Sequence, residues 1–372
     1  MQIGLFHLMQ SRDPATSAQS VLDAVREQIR LADEMGMDTA WLAEHHFSTY
    51  SMCPSPLLAA VWLAGTTRRI RLAPAVLVLP LYEPTRLVEE FGFADLVTGG
   101  RIDLGFGAGY QNYEFERFRI PLAEAFERSL EIIDIFEQAL TRQEIEYAGK
   151  HYRIPRASLA ASASRRPTIY SAGGLGHGAM FARRTLKRGY VQFAHSGTRP
   201  FSEVVAQRAA YDRVAEEEGL DPLGLPLGVV RFVYVTDSKE AARRAAEHLR
   251  YSHRVAAALR LDYAAFDGAT PRDLPAQGEP DIEDIVREAV IGPPEHCVER
   301  LLAERRLARL SHYACMMAVG GMEHRDVISS MERFGSEVLP QVRRAMEQAP
   351  KEELASQTRK FRSGAAPRPV GP

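Results

Sequence analysis

The chain has 372 residues, with 46 Lys and Arg against 48 Asp and Glu, so its formal net charge at pH 7 is -2. This balance excludes the strongly basic surface typical of nucleic-acid binding. The cysteines, Cys53, Cys297 and Cys315, are far apart and give neither a disulfide framework nor zinc spacing. The start, MQIGLFHLMQ, lacks a signal-peptide pattern, and no window approaches the ~20 apolar residues of a membrane span. We therefore expect a cytoplasmic protein with no nucleic-acid or membrane partner.

Short runs of apolar and β-branched residues alternate with segments of helical period along most of the chain. This alternation is typical of buried strands joined by crossover helices. The predicted strands are QIGLFH (2–7), DTAWLA (38–43), IRLAPAVLVL (70–79), RIDLGF (101–106), TIYS (168–171), YVQFA (190–194), LGVVRFVYV (227–235) and HYACMMAV (312–319). Eight such units favour an α/β fold of the (β/α)8 TIM-barrel type over an open doubly wound sheet.

The long connections predict insertions after strands 4, 5 and 7. Residues 144–154 (EIEYAGKHYRI) predict a small hairpin. Residues 263–280 are rich in Pro, Gly and Asp without a helical period, so they form either a lid over the strand ends or a disordered surface insertion. We expect a single barrel domain over 1–350. Residues 351–372 predict a disordered tail, because the SGAAPRPVGP end cannot bury apolar surface.

Polar residues follow several predicted strands, where such a barrel places its active site. His7 ends the first strand, Glu44, His45 and His46 follow the second, and His195 follows the sixth. We expect all of them to face one mouth. A metal site is disfavoured, because adjacent histidines on an extended chain point to different sides. The open alternatives are a polar loop cap and an imidazole that moves a proton near neutral pH.

Two glycine-rich segments also follow predicted strands. LGFGAGY (104–110) would let a flat or phosphorylated ligand approach the backbone closely. SAGGLGHGA (171–179) leads into a helix, whose free N–H groups would suit a phosphate. Either segment alone is also compatible with a plain helix start. Together they indicate binding positions for two parts of a phosphorylated cofactor.

Five segments together resemble the luciferase-like flavin monooxygenases over most of the chain. They are LAEHHF (42–47), APAVLVLP (73–80), EPTRLVEEFGFADLVTGGRIDLGFGAGY (83–110), the glycine segment at 171–178 and IGPPEHCVERL (291–301). The resemblance implies a barrel that takes reduced FMN from a separate flavin reductase and uses O2 to oxygenate a substrate, by hydroxylation or Baeyer-Villiger oxidation. Two alternatives remain within this resemblance: a deazaflavin-dependent oxidoreductase that transfers hydride, and a flavin-binding protein without catalysis.

The resemblance also assigns roles to individual residues. Catalysis falls to His45, with Glu44 and His46 beside it. Ala75 and Val76 match the position where relatives carry a non-prolyl cis peptide behind the flavin ring. The expected cofactor-binding residues are Ala75, Val76, Gly107, Ala108, Tyr110, Ala172, Gly173, Gly174, Gly176 and His177. Luciferase has a phosphate-binding arginine where this chain has Ala108, and the candidates to replace its charge are Arg183, Arg184 and His177.

Phe47, Tyr113 and His195 are predicted to contact the substrate. No metal site is predicted. The aromatic and apolar residues of the loops near 46–55, 110–120 and 263–280 indicate a small apolar organic substrate. We also expect a homodimer through helices at 56–65 and 84–97, as in relatives, because these carry too many large apolar groups for a solvated pair. Those groups are Leu57, Leu58, Val61, Trp62, Leu87, Phe91 and Phe93.

Overall fold

The computed structural model describes residues 1–172, 179–195 and 197–348. The glycine loop at 173–178 and the tail predicted at 351–372 lie outside the described residues. None of the helices in the described ranges is long and apolar enough to cross a membrane.

The described residues form a barrel of strands surrounded by helices. The strands are β1 Gln2–His7, β2 Thr39–Leu42, β3 Arg71–Pro74, β4 Leu77–Val78, β5 Leu104–Gly107, β6 Glu144–Ala148, β7 Arg153–Ser158, β8 Ile169–Ala172, β9 Val191–His195, β10 Leu227–Val235, β11 Phe266–Asp267, β12 Thr270–Pro271, β13 Val290–Gly292 and β14 His312–Met316. The helices are α1 Ala18–Glu34, α2 Pro56–Ala64, α3 Pro84–Val97, α4 Asn112–Phe118, α5 Ala125–Arg142, α6 Ala179–Lys187, α7 Ser202–Glu217, α8 Lys239–Arg260, α9 Ile282–Glu288, α10 Pro294–Ala308, α11 His324–Arg333 and α12 Leu339–Gln348.

The main sheet is parallel, with strand order β3-β2-β1-β14-β10-β9-β8-β5-β4. β3 and β4 belong to one predicted strand and are separated by the cis peptide between Ala75 and Val76. A bridge between Leu72 and Ile102 joins β3 to the residues before β5, so the sheet comes back to its first strand. The predicted barrel is confirmed, and its eight positions coincide with the eight predicted strands. β13, which pairs with the end of β10, was not predicted.

Aromatic side chains fill the barrel interior. The ring centroids of Trp41 and Tyr170 are 5.7 Å apart, and Tyr170 lies 5.4 Å from Phe193 and 5.5 Å from His312. Residues of opposite parity on the same strands, such as Leu42 beside Trp41, face the helices and join the larger outer core. The interior is therefore packed, which leaves the ends of the strands as the place for a ligand.

The insertion after the fourth barrel strand contains the predicted hairpin. β6 and β7 pair antiparallel, which confirms that prediction. The Glu131 carboxylate of α5 accepts the backbone N–H groups of Lys150, His151 and Tyr152 at the hairpin turn. These bonds fasten the hairpin to the outside of the barrel, along helix α5.

Helix α8 and the segment after it lie at the carboxyl ends of the strands. Tyr251, Val255 and Leu259 of α8 pack with Leu8, Ala43 and Tyr50, which follow the first two strands. Within 263–280, β11 and β12 form a short hairpin whose Phe266 stacks on Tyr113, with ring centroids 4.7 Å apart. The seventh connection therefore crosses the mouth of the barrel.

Candidate active site

The loop after β2 carries two adjacent histidines that face different surroundings. His45 and His46 are both buried, with 9% and 8% of their surface exposed. The ring of His45 packs against Tyr50 and Tyr110, at centroid distances of 4.7 and 5.9 Å. The ring of His46 instead meets Phe118 edge-on at 4.8 Å. Consecutive side chains of an extended segment point to opposite sides. The His45 imidazole therefore lies at the mouth, and the His46 imidazole points away from it.

Two side chains flank Nδ1 of His45. Oε1 of Glu114 and Nε2 of Gln111 each lie 3.0 Å from it. A protonated Nδ1 donates to the Glu114 carboxylate, whereas an unprotonated Nδ1 accepts from the Gln111 amide. Nδ1 therefore has a partner in either protonation state. This arrangement suits a ring that gains and loses protons while it stays in one position.

Glu114 also fixes the backbone of the histidine loop. Its Oε1 accepts the backbone N–H of His46 at 2.8 Å, and its side chain is buried. One carboxylate oxygen thus holds the loop and contacts the imidazole. Glu114 lies in α4, 69 residues from His45 in sequence, and sequence reasoning missed it. The available signal was a glutamate among the aromatic residues of YQNYEFERF (110–118).

Glu44 and His46 form a second buried pair. Oε1 of Glu44 lies 2.9 Å from Nε2 of His46, while Oε2 accepts from Tyr82 O–H at 2.7 Å and from Val78 N–H at 3.2 Å. Desolvation raises the pKa of Glu44, and the bonds from His46 and Tyr82 oppose that rise. Sequence reasoning placed both residues in catalysis, but these bonds occupy them inside the protein. They join the histidine loop to β4.

Small and aromatic side chains form the floor of a cleft at the strand ends. Phe6, Ala75, Val76, Ala172 and Phe193 are only half-buried, although they lie at the ends of central strands. The expected non-prolyl cis peptide is present between Ala75 and Val76. These residues fit a flat, largely apolar ring system.

The glycines of β5 make room for the neighbouring strand. A Cβ atom on Gly107 would lie 2.5 Å from Cγ2 of Val76, and one on Gly105 would overlap the carbonyl oxygen of Pro74. Both glycines therefore allow β5 to approach the neighbouring strand. Ala108, which directly follows β5, is buried. Gly173, Gly174, Gly176 and His177 lie outside the described residues.

The predicted substrate contacts lie at the rim. Phe47 is 49% exposed, and its ring contacts Phe118 at a centroid distance of 5.5 Å. The hydroxyl of Tyr113 donates to the carbonyl oxygen of Phe47 at 3.2 Å. His195, at the end of β9, has an exposed side chain. The three residues are thus near the strand ends, on two different sides of the barrel.

The expectation that His7 faces the mouth is wrong. Its Nε2 donates to Oε1 of Gln28 in α1 at 2.8 Å, and burial lowers its pKa to about 4. Side chains alternate along β1, so His7 shares the helix-facing side with Leu5, while Phe6 points to the cleft.

The candidate replacements for a phosphate-binding arginine are already paired. Arg183 binds Glu217 and Glu218, and Arg184 lies 3.2 Å from Asp134. Both guanidinium groups therefore contact carboxylates of the helical layer. In the described part of the chain, no three His, Cys, Asp or Glu side chains come together as metal ligands.

Residues 1–310 match the family model described as luciferase-like monooxygenase. The chain belongs to the luciferase-like monooxygenase family. A relative from Sinorhizobium fredii, the uncharacterized protein y4vJ, is 30% identical over 93% of this chain and 99% of its own length. The oxygenase component of a flavin-dependent trigonelline monooxygenase from Acinetobacter baylyi is 25% identical, over 91% of this chain and 95% of its own.

Solved structures similar to this luciferase-like monooxygenase share its fold. Monooxygenase RslO1 from Streptomyces bottropensis gives a TM-score of 0.77 at 20% identity, over 91% of this chain and 99% of that one. The oxygenating constituent of 3,6-diketocamphane monooxygenase from Pseudomonas putida, in complex with FMN, gives 0.72 at 18% identity, over 92% and 98%. An F420-dependent secondary alcohol dehydrogenase gives 0.68 at 15% identity, over 92% and 98%.

Proposed function

We propose that this protein is the oxygenase component of a two-component flavin-dependent monooxygenase. It takes reduced FMN from a separate flavin reductase and uses O2 to hydroxylate a small organic substrate or to convert it by Baeyer-Villiger oxidation. The observation that carries the proposal is His45, held at the cleft with Nδ1 between Glu114 and Gln111. Family membership and a relative named as an oxygenase component support it.

The cleft residues fit a reduced flavin. Ala75, Val76 and Ala172 leave room for a flat ring, and Phe6 and Phe193 offer aromatic surface beside it. Oε1 of Gln111 is buried without a hydrogen-bond partner among the described residues, so it can accept an N–H from a ligand. When bound, reduced FMN would supply the electrons that activate O2.

The side chains around the cleft would manage protons and exclude water. Because Glu114 and Gln111 occupy Nδ1, exchange of a proton with a ligand takes place at Nε2 of His45. Packing of α8 against the ends of the first two strands shields this side of the cleft, which strengthens electrostatic interactions within it.

Isotopically labelled O2 tests the reaction type. The protein is mixed with chemically reduced FMN, labelled O2 and a panel of small ketones, aldehydes and aromatic compounds. Label in a product supports the proposal. A product formed only with reduced deazaflavin and without label indicates the hydride-transfer alternative. Flavin binding without any turnover across the panel favours the non-catalytic alternative.

A homodimer is also part of the proposal. Leu58 of α2 and Phe93, Leu96 and Val97 of α3 are 69%, 64%, 52% and 55% exposed. Exposed apolar groups of this size on adjacent helices are typical of an interface. Three residues first expected there belong instead to the protein's own core: Leu57, Leu87 and Phe91. The interface is therefore narrower than the sequence indicated.

A further inference from the structure

Three basic side chains lie near one another between the end of β9 and helix α8. His195 ends β9, and His253 and Arg260 belong to α8. None of the three makes a hydrogen bond or an ion pair with another described residue. The segments outside the description nearest to them in sequence, 173–178 and 196, contain no Asp or Glu. This cluster has no part in the proton-handling arrangement around His45.

Arg260 differs from three other arginines of its helix. Arg243, Arg244 and Arg254 each pair with a carboxylate. The Arg260 guanidinium instead lies over the ring of Tyr110, with Cζ 4.7 Å from the ring centroid, and its side chain is exposed. Stacking on an aromatic ring orients a guanidinium and leaves its N–H groups available. Arg260 is thus a positioned cation whose charge is not neutralised by a described carboxylate.

The two histidines both lie close to Gly197. A Cβ atom placed on Gly197 would be 3.3 Å from Cε1 of His195 and 3.7 Å from Nδ1 of His253. Desolvation, followed by the positive charges of Arg199 and Arg260, lowers the pKa of His195 to about 4 and also lowers that of His253. His195 is nevertheless exposed at the end of β9. Both rings are neutral at pH 7, and each can donate one N–H.

Tyr110 connects this cluster to the proposed catalytic residue. The Arg260 guanidinium packs on the ring of Tyr110, and the centroid of the same ring lies 5.9 Å from that of the His45 ring. Arg199 also lies nearby, but it is paired with Glu203 at 2.9 Å. A ligand group bound at Arg260 would therefore be held one aromatic ring away from His45, within the span of a small organic molecule.

We propose that Arg260, with His253 and His195, binds an anionic oxygen group, a carboxylate or a phosphate, of the ligand that occupies the cleft. A guanidinium with free N–H groups binds such a group through two parallel hydrogen bonds, and the imidazole N–H groups add further donors. This inference rests on the proposed function. The anion is either a carboxylate of the organic substrate or the phosphate of FMN. In the first case the substrate is an apolar body with one anionic end.

Two affinity ratios test the inference on the complete chain. The first compares FMN with riboflavin, which lacks the phosphate, by fluorescence titration. The second compares small aromatic carboxylates, such as benzoate, with their neutral amides by calorimetry. Both ratios are measured for wild type, for Arg260→Met and for the control Arg244→Met, which removes an exposed, paired arginine of the same helix.

We expect Arg260→Met to lower one ratio about tenfold or more, as for a lost charged hydrogen bond, with an unchanged melting temperature. A lower FMN-to-riboflavin ratio identifies the phosphate as the anion, and a lower carboxylate-to-amide ratio identifies the substrate. His253→Gln should lower the same ratio by a smaller factor.

If both ratios are the same in Arg260→Met and wild type, the inference is wrong. Failure of the proposed function is distinguishable, because labelled O2 incorporation is measured independently. Oxygenation with unchanged ratios refutes only the anion site. Absence of any oxygenation refutes the proposed function, while the carboxylate ratio is still measurable.

Discussion

Replacing Glu114 by glutamine removes the negative charge beside His45 while it keeps the size of the side chain. In the protein, Oε1 of Glu114 lies 3.0 Å from Nδ1 of His45 and accepts the backbone N–H of His46 at 2.8 Å. The glutamine carbonyl oxygen can still accept the His46 N–H. The loop should therefore keep its position, and the main change is in how well a positively charged imidazole is stabilised.

The expected magnitude follows from the change in hydrogen-bond type. A hydrogen bond to a charged group contributes ~1.5–3 kcal/mol, and a neutral one ~0.5–1.5 kcal/mol. The loss is therefore about 1–1.5 kcal/mol, which corresponds to a roughly tenfold slower proton-dependent step. Glu114→Ala should in addition lower the free energy of unfolding by ~1–3 kcal/mol, because the buried His46 N–H loses its acceptor.

The assay is a double-mutant cycle on product formation with reduced FMN and O2. We expect Glu114→Gln to lower kcat about tenfold, with little change in KM, and to have almost no further effect in the His45→Ala background. Glu116→Gln, an exposed glutamate of the same helix, serves as the control and should be nearly neutral. If the effects of Glu114→Gln and His45→Ala multiply, Glu114 does not act through His45 and the reasoning is refuted.

Three further variants test the site, the barrel and the dimer. His45→Ala should retain FMN affinity but lower product formation by a factor of ~10²–10⁴, with hydrogen peroxide released instead; an unchanged ratio of peroxide to product would remove His45 from the mechanism. Gly105→Ala should lower the free energy of unfolding, measured by urea denaturation, by ~1–3 kcal/mol, because the added methyl group would overlap the Pro74 carbonyl oxygen. Gly224→Ala, which has open space around it, should be neutral by comparison. Leu58→Glu with Phe93→Glu should convert a dimer to a monomer in light scattering, and a monomeric wild type would disprove the interface.

The barrel was predictable because each of its strands is a short apolar run, bounded by helical segments of clear period. The histidine loop was predictable because Glu44-His45-His46 directly follows such a run. Side chains alternate along a strand, so the sequence of β1 already places His7 on the same side as Leu5, which faces the helices and not the mouth.

Other features depend on contacts between distant parts of the chain. Glu114 reaches His45 only because α4 packs against the loop after β2. Arg260 reaches Tyr110 only because α8 crosses the mouth of the barrel. The hydrophobic periodicity of the sequence predicts neither of these two contacts. A glycine pattern does not reveal which neighbour needs the space, so the close approach of the β5 glycines to Val76 and Pro74 could not be predicted.

The bonds of Glu44 divide the cleft into two regions with different tolerance to substitution. Through His46, Tyr82 and Val78, the buried Glu44 carboxylate joins the histidine loop to β4 and the residues after it, so hydrogen bonds cross-link these parts. The side chains of His195, His253 and Arg260 make no such hydrogen bonds to other described residues. Redesign of ligand preference should therefore begin at His195 and His253, because Arg260 packs on Tyr110, whose ring contacts that of His45.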